Sequence, residues 1–199
     1  MSDEDQGREL AGRRVLVYVS GSVAAFKAAD AVVLLRRRGA EVRVAMTRSA
    51  TRFLGPLTLR SLSGHPVVTD LFDPAEVGHG MEHLALSEWA EIQVAVPASA
   101  NLMARLALGL ADDAVTATAL ACRAPLVLAP AMETAMWEHQ ATRLNVETLR
   151  GRGAIVVGPV AGRLASGREG VGRMAEPAEI VAAVVDALTP GRRTGEPAG

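Results

Sequence analysis

Short aliphatic runs that end in proline or in small polar residues recur along this 199-residue chain, and stretches of helical composition separate them. This alternation constrains the chain to an α/β fold, because parallel strands need a crossover between them. Hydrophobic residues make up 49% of the sequence and aromatic residues only 3%, which is typical of an aliphatic parallel sheet buried on both faces. The predicted strands are Arg13–Val19, Glu41–Met46, Glu91–Val96, Ala124–Ala129 and Ala154–Val157.

The stretches between these strands predict the helices that cover the sheet. We predict helices at Val23–Arg38, Ser99–Leu110, Thr134–Arg150 and Pro177–Leu188. Together the elements predict a single α/β domain, a Rossmann-like (flavodoxin-like) doubly wound parallel sheet with helices on both faces. We expect a disordered N-terminus over residues 1–12, one folded domain over residues 13–188 and a flexible tail over residues 189–199.

Charge and cysteine content argue against several classes of function. The 21 basic and 22 acidic residues give a net charge of −1, so nothing favours a nucleic acid or a membrane surface as partner. Cys122 is the only cysteine and the four histidines lack metal-ligand spacing, so we expect no disulfide and no metal site. The polar N-terminus and the lack of a long apolar run favour a cytoplasmic protein.

Small and polar residues follow the predicted strands, at the edge of a doubly wound sheet where ligands bind. Ser20–Ala25 lacks the glycine pattern of dinucleotide-binding loops, yet its glycine and hydroxyl groups suit a phosphate or a flavin edge. Thr47–Ser49 offers hydroxyl groups in the same way. An ordinary tight turn and an ordinary helix cap are the alternatives for these two segments.

Two later loops combine proline with small residues. In Pro97–Asn101, Ser99 can cap the following helix, and the alanines leave room for a flat ring near the backbone. Pro130–Trp137 places small, polar and large apolar side chains in one loop. A loop that only plugs the end of the sheet is the alternative, and Met136 and Trp137 are equally well explained as core or subunit-interface packing.

The segment Gly162–Met174, which we call the flap, is rich in glycine and contains Arg163, Arg168 and Arg173. Its composition indicates a mobile segment that brings cations to an anionic substrate. A solvated run of charges is the alternative interpretation of these arginines.

Five segments together resemble the homo-oligomeric flavin-containing cysteine decarboxylases. This family includes phosphopantothenoylcysteine decarboxylases and the peptidyl-cysteine decarboxylases of lanthipeptide-type pathways. The resemblance extends from Arg13 to Ala187. It rests on Gly21-Ser22, on H-L-x-L-S-x-W-A at His83–Ala90, on P-A-S-A-N at Pro97–Asn101, on P-A-M-x-x-x-M-W at Pro130–Trp137, and on G-R-M-A-E-P at Gly172–Pro177.

The resemblance implies a bound FMN, or occasionally FAD, held between subunits of a homotrimer that can assemble further into a dodecamer. It assigns the catalytic role to His83. The residues that it implies for the phosphate end and one edge of the flavin are Gly21, Ser22, Thr47, Ser49 and Phe53. Those that it implies for the ring and ribityl chain are Pro97, Ala98, Ser99, Asn101, Ala131 and Met132. The expected substrate-binding residues are Glu133, Met136, Trp137, Ser166 and Arg173.

The chemistry of the family explains why a flavin is needed. Loss of carbon dioxide from cysteine leaves negative charge on Cα, which an unmodified side chain cannot accept. Oxidation of the thiol by the flavin gives a thioaldehyde, whose C=S bond accepts that charge, and the product is an enethiol. His83 would manage a proton near neutral pH.

Two positions depart from the family pattern. Glu133 stands where the family has the Asn that helps to hold the substrate carboxylate, and a charged Glu there would repel that group. Ser166 stands where phosphopantothenoylcysteine decarboxylases have a Cys whose thiol helps to return electrons to the enethiol. A serine hydroxyl has no comparable redox chemistry.

These departures favour an enzyme that stops at the enethiol. We therefore expect oxidative decarboxylation of a peptide with a C-terminal cysteine, as in the biosynthesis of aminovinyl-cysteine-containing peptides, with other enzymes of the pathway as further partners. The alternatives are a phosphopantothenoylcysteine decarboxylase of coenzyme A biosynthesis and a flavin-binding regulatory homologue that has lost catalysis. A flavin prenyltransferase is a more distant alternative that the combined P-A-S-A-N and P-A-M motifs disfavour.

Overall fold

The computed structural model describes residues 7–71 and 82–189 of the chain. Within them, six parallel strands form one sheet in the order β3-β2-β1-β4-β5-β6. The order reverses between β1 and β4, as in Rossmann-like sheets, which confirms the predicted fold class. The strands are β1 Arg14–Val19, β2 Glu41–Met46, β3 Val67–Val68, β4 Ile92–Ala98, β5 Leu126–Pro130 and β6 Ile155–Val156.

Eight α-helices occur in the described residues: α1 Lys27–Arg37, α2 Pro56–Ser63, α3 Glu82–Trp89, α4 Ala100–Leu108, α5 Ala114–Ala121, α6 Thr134–Glu138, α7 Gln140–Gly151 and α8 Pro177–Leu188. The 3₁₀ turn Val23–Phe26 precedes α1, so the predicted helix Val23–Arg38 begins with a 3₁₀ turn and becomes α-helical only at Lys27. The predicted helix Thr134–Arg150 is interrupted at His139, whose extended backbone ends α6 and whose ring caps α7.

Residues of β1 alternate between two apolar cores, one on each face of the sheet. Val15, Val17 and Val19 face the core that includes α1 and α8. Leu16 and Tyr18 face the core that includes α4, α5 and α7. Because both faces are covered, the strands are the near-continuous apolar runs from which the sheet was predicted.

The flap and the two residues before it form a second sheet. Strand β7, Val160–Arg163, pairs antiparallel with β8, Glu169–Arg173. This hairpin was not predicted, because its glycines and charged residues lack the alternation that identifies strands.

The N-terminal segment packs against the domain earlier than expected. Residues 1–6, 72–81 and 190–199 lie outside the described residues, and so do most of the expected tail and half of the expected disordered N-terminus. Residues 7–12 differ from that expectation. Leu10 is buried, and its backbone N–H donates to the carbonyl oxygen of Arg38 at 2.9 Å. The packed part of the chain therefore begins before Arg13.

Candidate active site

One buried serine joins the carboxyl ends of β1 and β4. The Ser20 hydroxyl donates to the carbonyl oxygen of Pro97 at 2.7 Å and accepts from the backbone N–H of Ser99 at 2.8 Å. Ser99 in turn caps α4, because its Oγ accepts from the N–H of Leu102 at 3.2 Å. The loop after β1 and the first turn of α4 are therefore fixed to each other where the strand order reverses.

Further hydroxyl groups gather where β1 and β2 end. The Oγ atoms of Thr47 and Ser49 lie 3.1 Å apart. A Cβ on Gly21 would lie 2.5 Å from Ser49 Oγ, so glycine is needed for this approach. Ser22 is half-buried, and its Oγ accepts from the N–H of Ala24 at 3.3 Å. We call the group formed by residues 20–22, 47–49 and 97–99 the strand-exit cluster.

A cavity of about 560 Å³ opens beside this cluster, within the size range of small-molecule sites. Its walls come from the turn after β1, the loop after β5 and the flap. Val23, Phe26 and Leu164 supply apolar surface. The predicted site residues that line the cavity are Ser22, Ala131, Met132, Glu133 and Arg173.

The flap lies directly against the loop after β5. The N–H of Met132 donates to the carbonyl oxygen of Gly172 at 3.0 Å. A Cβ on Gly172 would collide with the carbonyl oxygen of Met132, and a Cβ on Gly170 would collide with Thr134 Oγ1. The two glycines therefore allow β8 to approach the loop, which closes one side of the cavity.

Two of the cations that line the cavity share one carboxylate. Glu176 accepts from Lys27 Nζ at 2.9 Å and lies 3.4 Å from Arg173 Nη1. The hydrogen bond from Lys27, followed by the charges of Lys27 and Arg173, lowers the pKa of the exposed Glu176 carboxyl. These ion pairs connect the start of α1 to the flap.

The two residues that depart from the family pattern contact each other. The Ser166 hydroxyl donates to Glu133 Oε2 at 3.1 Å. Ser166 lies in the exposed turn of the flap, and Glu133 is half-buried at the cavity wall. The Glu133 carboxylate therefore accepts a hydrogen bond from the flap.

His83 lies on α3, which packs mainly against α5. No residue of α3 is among those that line the cavity. The structure of a single chain therefore does not bring His83 together with the other predicted site residues.

Other predicted residues lie outside the cavity wall, and several of them belong to the strand-exit cluster. Asn101 and Phe53 are exposed, on α4 and after β2 respectively. On α6, Met136 is exposed and Trp137 packs against the core that includes α4 and α7. Those in the strand-exit cluster are Gly21, Thr47, Ser49, Pro97, Ala98 and Ser99.

Sequence reasoning did not assign Phe26 or Lys27 to the site. Both follow Ser22 closely, and Phe26 is exposed just before a helix whose apolar residues are buried or half-buried. An exposed aromatic side chain next to a ligand loop is the signal that could have identified them.

Cys122 lies away from the flap. Its thiol donates to the carbonyl oxygen of Ser87 at 3.3 Å, and burial raises the pKa of the thiol. It is therefore held as a thiol between α3 and β5, apart from the cavity.

The arrangement fits a ligand with an anionic end and a flat ring. The hydroxyl groups of Ser22, Thr47 and Ser49 can donate hydrogen bonds to a phosphate. Within the described residues, none of the three is hydrogen-bonded to a charged side chain. The adjacent cavity offers Phe26 and Met132 to an apolar ring. These are the two parts of a flavin nucleotide.

A family model described as Flavoprotein matches residues 3–189. The chain belongs to the flavoprotein family. This flavoprotein is similar to the crystal structure of the FMN-dependent cysteine decarboxylase SpaF, with 36% identity, a TM-score of 0.77, and coverage of 90% of this chain and 99% of SpaF. It is equally similar to a PPC decarboxylase, solved as a cysteine-to-serine mutant complexed with pantothenoylaminoethenethiol, with 36% identity, a TM-score of 0.77, and coverage of 87% and 96%.

A curated relative is the coenzyme A biosynthesis bifunctional protein CoaBC of Escherichia coli (strain K12), which is 44% identical over 181 residues. The match covers 91% of this flavoprotein and 44% of CoaBC, so the chain spans less than half the length of that relative. The family model and the two solved structures confirm the predicted membership of the flavin-dependent cysteine decarboxylases. Within the described residues, no helix combines the length and apolarity of a membrane span.

Proposed function

We propose that this flavoprotein binds FMN and oxidatively decarboxylates a cysteine at the C-terminus of a peptide, with an enethiol as the product. The observation that carries the proposal is the contact between flap and cavity. There the Ser166 hydroxyl donates a hydrogen bond to Glu133 in the cavity wall. The only thiol of the sequence, that of Cys122, instead contacts Ser87 on α3.

The strand-exit cluster would hold the cofactor, with FAD as the alternative to FMN. Ser22, Thr47 and Ser49 would donate to its phosphate, and Gly21 would let the backbone approach. Met132 and Ala131 would lie against the ring. The flavin, when bound, supplies the two-electron oxidation of the thiol that no side chain can perform. By excluding water from the ring, the flap would protect the oxidised substrate from hydrolysis.

The product follows from what the flap lacks. The two electrons taken from the thiol could return only with delivery of a proton to the enethiol. A thiol in the flap could deliver that proton, whereas the Ser166 hydroxyl is far less acidic. The solved PPC decarboxylase with a serine in place of a cysteine holds pantothenoylaminoethenethiol, which is an enethiol. This flavoprotein has serine naturally in its flap, and we propose that it releases a product of that class.

His83 would transfer a proton during the reaction. Because α3 does not line the cavity of its own chain, we propose that a second copy completes the site in a homotrimer, or in a dodecamer made of four such trimers. Two apolar side chains of the cavity wall, Val23 and Phe26, are exposed and support an interface there.

The second candidate is a PPC decarboxylase that acts in the cytoplasm in coenzyme A biosynthesis. The 44% identity to CoaBC favours it. In the peptide pathway that we favour, the chain would instead act in the cytoplasm beside other modifying enzymes. A regulatory role without turnover remains the outcome if neither substrate reacts.

Mass spectrometry of the products distinguishes these functions. FMN-loaded protein is incubated with a synthetic peptide that ends in cysteine and, separately, with phosphopantothenoylcysteine. We expect the peptide to lose carbon dioxide and two hydrogens while the flavin absorbance bleaches under anaerobic conditions. Loss of carbon dioxide alone, from phosphopantothenoylcysteine only, would replace the first candidate with the second. The variant Ser166→Cys is the matched comparison, since it restores a thiol to the flap.

The shared site is tested with His83→Ala. This variant should lose roughly 10²- to 10⁴-fold in activity, the usual contribution of an acid–base residue, and keep its flavin. Co-assembly of His83→Ala chains with chains that carry a disabled cavity should recover part of the activity, because some sites then receive both intact halves. No recovery would mean that His83 acts on its own chain or not at all.

A further inference from the structure

A substrate that ends in cysteine brings a carboxylate into a cavity where Glu133 is already present. Two negative charges in a half-buried site repel each other. The Glu133 carboxylate already accepts from the Ser166 hydroxyl at 3.1 Å, and it cannot donate to a second anion. Glu133 is therefore not the group that holds the substrate carboxylate, although the family motif suggested that position.

Two of the three cations in the cavity wall are already paired. Lys27 and Arg173 both contact Glu176, at 2.9 and 3.4 Å. The Arg173 side chain also lies across the flap backbone, since a Cβ on Gly162 would be 3.1 Å from Arg173 Nε. The single Glu176 carboxylate lies between these two cations and offsets one of their two charges, and the contacts attach the flap to α1 and α8.

Arg163 differs from both. It lies on β7, lines the cavity together with Glu133 and Met132, and its side chain is exposed. Its guanidinium forms no ion pair with any residue in the ranges 7–71 and 82–189. A planar fork of N–H donors matches a carboxylate with two parallel hydrogen bonds.

We infer that Arg163 is the specificity residue that receives the terminal carboxylate of the substrate. This inference rests on the proposed decarboxylation of a C-terminal cysteine. Since negative charge leaves the carboxylate as carbon dioxide forms, Arg163 stabilises the bound substrate more than the transition state. Its removal therefore raises KM and does not lower kcat.

Binding is measured by calorimetry on FMN-loaded protein with an unreactive peptide that ends in serine, as the free acid and as the amide. The unaltered protein should bind the acid roughly tenfold or more tightly than the amide, as expected for a charge-assisted pair. Arg163→Ala should bind both alike, and Arg163→Lys should keep part of the preference. The control is Arg168→Ala, a neighbouring flap arginine outside the cavity wall, which should keep the full preference.

An acid preference that survives in Arg163→Ala overturns the inference. An equal loss of the preference for the acid in Arg168→Ala also overturns the inference, because the preference would then result from the net charge of the flap. Turnover of the cysteine peptide by the unaltered protein is measured separately. Its absence would count against the proposed function, whereas turnover with an unchanged KM in Arg163→Ala would count against Arg163 alone.

Discussion

The strand-exit cluster and the flap border the same cavity, yet they are held in different ways. In the cluster, buried hydroxyl groups such as Ser20 bond to backbone atoms of a neighbouring strand, and the elements they join are central to the sheet. In the flap, backbone approaches at Gly170 and Gly172 and exposed ion pairs make the connection. The cluster is therefore part of the core, whereas the flap rests on its surface.

This difference separates two tasks. Two of the segments that resemble the family motifs without a departure, Gly21-Ser22 and Pro97–Asn101, lie in the cluster or begin there, where a change would disturb the sheet. The two departures, Glu133 and Ser166, meet where the flap contacts the loop after β5. Exposed partners can be exchanged at small cost, because solvent replaces a lost hydrogen bond there. We propose that the cluster determines the cofactor and that the flap determines the substrate and the product.

The largest expected effect comes from Gly21→Ala. The added Cβ would lie 2.5 Å from Ser49 Oγ and 2.6 Å from its Cβ, so Ser49 must move out of the cluster. Overpacking of this kind costs about 1–3 kcal/mol, and it displaces the hydroxyl groups that would bind the phosphate. We expect the purified variant to contain little flavin, measured by visible absorbance, and to be inactive. Normal flavin content would refute the proposed role of the cluster.

A smaller effect is expected from the equivalent change in the flap, Gly172→Ala. Its Cβ would collide with the Met132 carbonyl oxygen and push β8 away from the loop. Flavin content should stay close to that of the unaltered protein, while kcat/KM for the peptide falls roughly 10²-fold, as for a misplaced binding group. Flavin fluorescence and steady-state kinetics measure the two quantities.

One control serves both glycine variants. Gly151 ends α7, and the Cβ of an alanine at this position would have no heavy atom within 4 Å beyond its own helix backbone and chain neighbours. Gly151→Ala should therefore change neither flavin content nor kinetics. If both glycine variants lost flavin equally, the division between cluster and flap would be wrong.

The sequence predicted the parts of the fold that depend on local pattern. The aliphatic runs predicted five of the six described strands to within about two residues at each end, and Pro177 is the first residue of α8, as predicted. Strand β3 was missed because two residues carry no periodic signal, and α2 because its short helix lies in a segment without clear alternation. The flap hairpin was missed because its strands approach through glycines, which have low β-propensity.

The candidate site was predictable only as far as the strand order allows. Carboxyl ends of parallel strands meet at one edge, so Ser22, Ser49 and Ser99 could be grouped without coordinates. The Ser166–Glu133 contact joins residues 33 positions apart through a hairpin that has no sequence signal. Likewise, nothing in the pattern distinguished Arg163 from Arg173, because ion pairing depends on where Glu176 lies.

The smallest expected effect concerns Glu176, which links the start of α1 to the flap. Its pKa is lowered below the ordinary value of 4.5, chiefly by the hydrogen bond from Lys27. Its stabilising contribution is therefore complete above that value and is lost as the pH falls through the lowered pKa. Since the pair is exposed, the loss of stability at low pH is small.

Melting temperatures between neutral and acidic pH should fall slightly more steeply for the unaltered protein than for Glu176→Gln. The control Glu147→Gln, on exposed α7 surface, should follow the unaltered protein. If Glu176→Gln showed the same pH dependence as the unaltered protein, the backbone approaches at Gly170 and Gly172 alone would hold the flap. The ion pairs of Glu176 would then add nothing to the attachment of the flap to α1.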